Sequence, residues 1–251
     1  MKQLFLFLLL LAAITACKKS EDAPKIQPVM LDKTDVQLHY DETYPFKLTQ
    51  GGTDIDETTY AWVSKDTTVG KVDTKGVFYG NHIGETTVTA TSKDGKTKVE
   101  AKVTVTPKTT MFKMPVIEFG SSKANVKSKE TRVMTKDSAS LVVYQPENAK
   151  IRQVFYYFEN AALKESYVLP GNTTALIQEA GTYLDERFTY LGQDNDGAYY
   201  FEVTPTVIAV YFSDQNLGPA IGFAAYKKGG RLPAQPGRSA RFALTLRQRP
   251  R

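Results

Sequence analysis

Residues 84–106, GETTVTATSKDGKTKVEAKVTVT, decide the fold of the first half of this chain. Val88 and Ala90 alternate with polar residues before Asp94-Gly95, and Val99, Ala101, Val103 and Val105 alternate after it. A period of two puts each set on one face of a strand. Asp-Gly between two such runs predicts a hairpin, because glycine accepts the positive φ of a tight turn. The same pattern recurs in Val36/Leu38/Tyr40, Phe46/Leu48, Tyr60/Trp62 and Val77/Tyr79, with turns at Gly51-Gly52 and Lys75-Gly76. Roughly seven short strands, each polar on one side, bury their other faces by pairing two sheets. Pro107 ends the series, since proline cannot donate to a ladder.

Several pieces at fixed spacing make this segment identifiable: Leu31 with Thr34 to Leu38, Asp41-Glu42-Thr43, Tyr60-Ala-Trp62-Val-Ser64, Val69-Gly-Lys-Val72-Asp73, Gly76-Val77-Phe-Tyr-Gly80, Gly84 to Thr91, and Val103-Thr-Val105. Residues 30–106 thereby resemble the bacterial group 2 immunoglobulin-like domain, with Lys71 a small departure from its pattern. The resemblance implies a β-sandwich used in surface proteins as a spacer or adhesion module, with no catalytic site of its own. Trp62 reads as a filler of the sandwich core in preference to a sugar contact.

A linker, 107–115, carries Met111, Phe112 and Met114 into the next unit, so the two parts are expected to touch. Residues 116–226 read as an α+β domain. Strands are expected at Val116–Phe119, Arg132–Thr135, Leu141–Tyr144, Val154–Phe158, Ser166–Leu169, Phe188–Leu191, Ala198–Val203, Val207–Phe212 and Ile221–Tyr226, and a short helix within Ser121–Lys129. The main helix is expected over Thr174–Phe188, capped by Thr173 or Thr174. Its apolar stripe would be Leu176, Ile177, Ala180, Leu184 and Phe188, with Gln178, Glu179, Thr182, Asp185 and Glu186 facing away. A striped helix needs a sheet to cover it, here an antiparallel one. The stretches Phe119-Gly120-Ser-Ser-Lys123, Phe158-Glu159-Asn160 and Tyr183-Leu184-Asp-Glu-Arg187-Phe188 look like the C-terminal half of uncharacterised Bacteroidota lipoproteins, a resemblance that implies no known activity.

The two ends differ from the body. Lys2, the apolar run Leu4–Ala13 and the small residues after it have the anatomy of a secretory signal, too short to span a bilayer as a helix. Ile14-Thr15-Ala16-Cys17 resembles the lipobox of bacterial lipoproteins. That resemblance implies loss of residues 1–16 and a lipid-modified Cys17, the sole cysteine, anchored in the outer membrane. Residues 17–29 form a polar tether, in which Lys19-Ser20-Glu21-Asp22 looks like a surface-export signal. At the other end, residues 227–251 hold eight basic residues and no acidic one, so the net charge of +5 becomes −3 without them. The basicity therefore belongs to a tail, read as disordered, and argues against nucleic acid as a partner.

Catalytic chemistry finds little material. With Cys17 under lipid, no disulfide, cysteine nucleophile or cysteine zinc site is available, and His39 and His82 are the two histidines. Asp194-Asn195-Asp196-Gly197 begins like a calcium loop, but its twelfth position is Pro205 in place of the required glutamate; a hairpin turn fits better. Asp185 and Glu186 are adjacent on a helix and expected to be solvated. No cofactor or metal is implied. Tyr156, Tyr157, Tyr199 and Tyr200 are the candidate ligand contacts, because alternation turns one of each pair to either sheet face; cross-strand packing is the competing role. The reading is a lipid-anchored envelope protein whose sandwich presents a non-catalytic binding or adhesion domain to a glycan or protein. A purely structural envelope protein and a hydrolase of surface glycans are the alternatives.

Overall fold

The computed structural model describes residues 26–227. The expected signal 1–16, Cys17, the tether to residue 25 and the tail from residue 228 lie outside the described residues.

The first part is an immunoglobulin-like sandwich. Its strands are β1 (Val29–Leu31), β2 (Asp35–His39), β3 (Thr43–Pro45), β4 (Leu48–Gln50), β5 (Thr53–Ile55), β6 (Tyr60–Ser64), β7 (Gly70–Val72), β8 (Val77–Gly80), β9 (Gly84–Ser92) and β10 (Lys98–Thr106). The main sheet runs β2-β10-β9-β6, with β2 parallel to β10, and two smaller sheets run β3-β8-β7 and β1-β4-β5. β9 and β10 pair antiparallel about Asp94-Gly95, where Gly95 has φ +72°. The alternating residues Val36, Leu38, Val88, Ala101, Val103 and Val105 meet Phe46, Leu48 and Phe78 in one core. Trp62 closes that core from its rim: its ring lies 5.8 Å from Phe46, and its indole N–H donates to the Glu57 carbonyl over 2.9 Å. Gly76 makes room for it, since at φ +75° an added Cβ would stand 2.8 Å from the Trp62 ring.

The second part is an eight-stranded antiparallel sheet: β11 (Met134–Asp137), β12 (Leu141–Tyr144), β13 (Ile151–Glu159), β14 (Ala162–Pro170), β15 (Thr189–Gln193), β16 (Tyr199–Thr204), β17 (Val207–Asp214) and β18 (Gly218–Ala225), in the order β11-β12-β13-β14-β18-β17-β16-β15. Both of its faces are apolar. One holds Val142, Tyr156, Val168, Phe201, Ile221 and Phe223 beneath the helices α1 (Lys123–Lys129) and α2 (Thr174–Asp185); the other holds Leu141, Phe155, Tyr167, Tyr200, Val210 and Phe212. β12, Leu-Val-Val-Tyr, is therefore buried along its whole length, as expected of a strand packed on both sides. The edge strands β11 and β15 each carry a register irregularity. Such bulges twist an edge away from further pairing.

Two expectations change. Val116–Phe119 forms no strand and turns at its end, where the Phe119 N–H donates to the Ile117 carbonyl (3.0 Å); the Val116 N–H donates to the Tyr156 hydroxyl (3.1 Å), and its carbonyl accepts from Ser166 Oγ (2.5 Å). These side chains take the place of ladder partners. The stripe of α2 is also rotated. Ala180, Tyr183 and Leu184 are its buried residues, while Ile177 stays 38% exposed. The helix ends at Asp185, and Thr173 caps its start, accepting from the Leu176 N–H.

Glu186, expected in solvent, is 0% exposed, whereas its neighbour Asp185 does face out. The Glu186 carboxylate accepts from the backbone N–H groups of Lys108 (2.7 Å) and Thr109 (3.3 Å) and pairs with Arg187, whose guanidinium donates to the Thr109 carbonyl over 2.9 Å and lies 3.8 Å from the Tyr183 ring centre. Phe112 stacks on Tyr183 at 3.9 Å. The segment leaving the sandwich is thus fastened to the end of α2. The sandwich itself reaches the same place, because the Ile83 N–H donates to the Glu186 carbonyl over 2.8 Å.

Candidate functional site

The four candidate tyrosines separate. Tyr156 is fully buried under the helices, 0% exposed, and its hydroxyl donates to Glu130. Burial, then the hydrogen bond to Glu130, raises its hydroxyl above the ordinary tyrosine range. Tyr200 is buried at 2% on the opposite face, where its hydroxyl donates to Asp194 over 2.9 Å. Tyr157 is half-buried on β13. Tyr199 alone of the four is open to solvent, at 42%. Period two separates Tyr199 from Tyr200 as expected, but the packed faces claim two of the four rings, Tyr156 and Tyr200.

Tyr199 has company that the sequence did not reveal. Tyr190, 51% exposed, lies directly across from Phe201 in the β15–β16 pair, and Phe201 is two residues from Tyr199 on the same face. The ring centres of Tyr190 and Tyr199 are 6.5 Å apart, and those of Tyr190 and Phe201 are 5.6 Å apart. In the next strand Tyr211 stands opposite Tyr199 and donates its hydroxyl to the Ile177 carbonyl of α2 over 3.1 Å. Burial, then the neighbouring Tyr199, pushes the Tyr211 hydroxyl up to about 12. Gln193, exposed, pairs with Tyr199 across the ladder. The result is an aromatic shelf beside α2: Tyr190 and Tyr199 in front, Tyr211 and Phe201 behind, Ile177 at the helix rim and the Gln193 amide at the open end. The bulge between Tyr190 and Gly192 brings Gln193 onto the face of Tyr190, a placement that simple alternation would deny. A tilted pair of phenol rings offers stacking faces, and hydroxyl and amide groups offer donors and acceptors, without any charged side chain among these six.

The other candidates resolve into structure. Asp194 closes the β15–β16 hairpin by accepting from the N–H groups of Asp196 (3.0 Å) and Ala198 (2.9 Å). Among the described residues no group of three His, Cys, Asp or Glu side chains is placed to hold a metal. A groove of about 580 Å³ on the sandwich is lined by Lys65, Asp66, Glu85, Thr86, Thr87 and Lys102, with Lys102 and Glu85 paired at 2.7 Å. The other acidic concentration is a buried network. Arg132 bridges Glu130 (2.8 Å) and Glu147 (2.7 Å), with the Arg132 and Glu130 side chains 4% and 2% exposed. Glu147 and Arg132 fix the chain around residue 113, where the Lys113 N–H donates to Glu147 over 2.6 Å and the Lys113 carbonyl accepts from Arg132. No described helix is long and apolar enough to cross a membrane.

Comparison with known proteins agrees with the first part of the fold. The family model for the bacterial Ig-like domain (group 2) matches residues 25–113. No curated protein sequence matches the chain. Among solved structures, the chain is similar to intimin in a complex with Tir90, at 21% identity over 41% of this chain and 57% of that chain, with a TM-score of 0.23. It is also similar to domains 5–6 of the S-layer protein SbsC, at 13% identity over 82% of this chain and 86% of that one (TM-score 0.28). An intimin mutant from EHEC O157:H7 aligns at 16% identity over 58% and 92% of the two chains (TM-score 0.24).

Proposed function

We propose that this protein is a lipid-anchored component of the bacterial cell envelope whose Ig-like sandwich lifts a non-catalytic, glycan-binding sheet away from the membrane. Cys17 carries the anchor in this reading; two or more acyl chains make such attachment durable, at ~0.8 kcal/mol per buried methylene. The match of residues 25–113 to the Ig-like family supports the role of stem. The binding role rests on one observation, the shelf of Tyr190 and Tyr199, 51% and 42% exposed with their centres 6.5 Å apart. Exposed aromatic rings of this size cost solvation, and paired rings rimmed by amide and hydroxyl groups match the apolar faces and hydroxyl edges of a sugar.

The test uses the full chain on a glycan array, with Tyr190→Ala/Tyr199→Ala beside it. The expected outcome is retention of a neutral glycan that the double variant loses by about tenfold or more, since each stacked ring contributes ~0.5–1.5 kcal/mol. Equal retention by both proteins sinks the shelf, and capture of a protein in place of any glycan reassigns it. Incorporation of labelled palmitate, abolished by Cys17→Ser, is the companion result for the anchor.

A further inference from the structure

The two faces of the C-terminal sheet differ in what lies over them. The first shares its core with Phe112 of the linker, Val126 of α1 and Ala180, Tyr183 and Leu184 of α2. The second includes, among the described residues, no member from a helix, the linker or the sandwich; its members come from the sheet strands and the segments beside them. Yet Phe155, Tyr167, Ile208 and Val210 on that face are fully buried. One row in register runs from β12 to β16 through Val143, Phe155, Tyr167, Gly222, Val210 and Tyr200. Phe155 and Tyr167 stack at 4.7 Å, whereas β18 offers Ala220, Gly222 and Ala224 to this face and so forms its low line. An apolar sheet face has to be buried against another element, and a continuous patch of this kind is not left to water.

Charge and the course of the chain point to the occupant. Beside that row, toward one end of the strands, Glu165, Ala224, Ile208 and Glu202 stand opposite one another in turn, and alternation along β13 puts Glu159 on the same face. Lys136, opposite Val143, is a cation at its outer edge. The chain leaves β18 at this acidic end, and Tyr226 packs on the second core. Residues 228–251, outside the described residues, carry Lys228, six arginines and no acid. Phe242, Leu244 and Leu246 alternate there with Arg241, Ala243, Thr245 and Arg247, a pattern apolar on one side. These residues reach up to ~80 Å when extended, and an eight-stranded sheet is roughly 34 Å wide, so the segment is long enough to cross the face.

We propose that residues 228–251 fold back over the second face of the C-terminal sheet, laying Phe242, Leu244 and Leu246 on the row from Phe155 to Tyr200 and arginines beside Glu159, Glu165 and Glu202. The partner of this surface is the chain's own basic C-terminal segment. Apolar burial supplies the hold, and the arginine–carboxylate pairs set the placement of the strap. The aromatic shelf of Tyr190 and Tyr199 is on the opposite face, with Phe201, so the strap leaves it open. The strap does not depend on what the shelf binds.

A spin label on the segment reads the face. In the full chain, Cys17→Ser removes the sole native thiol, and Thr245→Cys, on the polar side of the pattern, takes the label. Methyl signals of Val143, Ile208 and Val210, on the second face, are expected to be lost, while those of Val142, Val168 and Ile221, on the first, weaken far less. Glu159→Lys/Glu202→Lys should recover part of the lost intensity, and no recovery overturns the role given to the charges. Second-face methyls that keep full intensity overturn the strap, and so does an equal loss on both faces. If the loss appears in an enriched, unlabelled chain when a labelled, unenriched one is added, a second copy occupies the face and the strap is overturned as well. Ending the chain after Lys227 gives a second measurement. The shortened protein is expected to bind a hydrophobic dye and to self-associate; one that stays monomeric and binds no more dye than the full chain has a sheet closed on itself, which overturns the strap.

Discussion

Glu130 holds a charge inside the protein, and four donors keep it there: the Tyr156 hydroxyl, the Arg132 guanidinium and the backbone N–H groups of Thr131 and Arg132. Burial works against the ionised carboxylate, but the bonds from Tyr156 and Arg132 outweigh it, and the group stays below the usual glutamate range. Glu147, the second partner of Arg132, is lowered in the same way, its bonds to Arg132 and Lys113 overcoming burial. A carboxyl depressed in the folded state lends stability that is fully present at neutral pH and is lost as pH falls through its folded value. The C-terminal sheet is therefore expected to weaken below about pH 4. Glu130→Gln should cost about 3 kcal/mol at pH 7 by leaving Arg132 short of a buried counter-charge, and it should flatten the acid limb of the stability curve. Urea unfolding at a series of pH values checks both. An unchanged acid limb would mean that the charge is not held as the geometry implies.

At the scale of elements, α2 shows where periodicity informs and where it misleads. Its presence and its cap at Thr173 follow from local sequence. Thr173→Ala should cost about 1 kcal/mol, seen as a lower thermal midpoint of the C-terminal part, because the Leu176 N–H loses its acceptor. Its facing could not be read as easily. Ile177 looks like a core residue, yet the sheet beneath it ends in the aromatic shelf and leaves it half open. Glu186 looks like an outward residue and Tyr183 is not in the expected stripe, yet the linker lies over both and supplies Phe112 and two N–H groups. The strands tell the same story. Alternation identified β9 and β10 and their core face, since one side of the sandwich meets solvent. The C-terminal strands are apolar on both faces, so alternation could not say which tyrosine would be covered.

For the molecule as a whole, the seam around Glu186 decides whether the sandwich and the C-terminal sheet act as one body. Glu186→Ala removes the acceptor of Lys108 and Thr109 and the partner of Arg187. By the usual cost of breaking a buried ion pair, about 3–5 kcal/mol, it should separate a coupled unfolding into two calorimetric transitions while each part keeps its own secondary structure. A single transition in the variant would show that the parts are coupled by other contacts. The sequence by itself determined the sandwich, with its hairpin at Asp94-Gly95, and an α+β second part with one main helix, because turn chemistry and the spacing of apolar residues act over a few neighbours. Only the tertiary structure decided that Tyr190 joins Tyr199 on an open face, that Tyr156 and Tyr200 are covered, and that His82 meets the Phe188 carbonyl in the segment after α2. Those pairings join residues far apart in the chain, and their closeness depends on which surfaces the folded elements leave for one another.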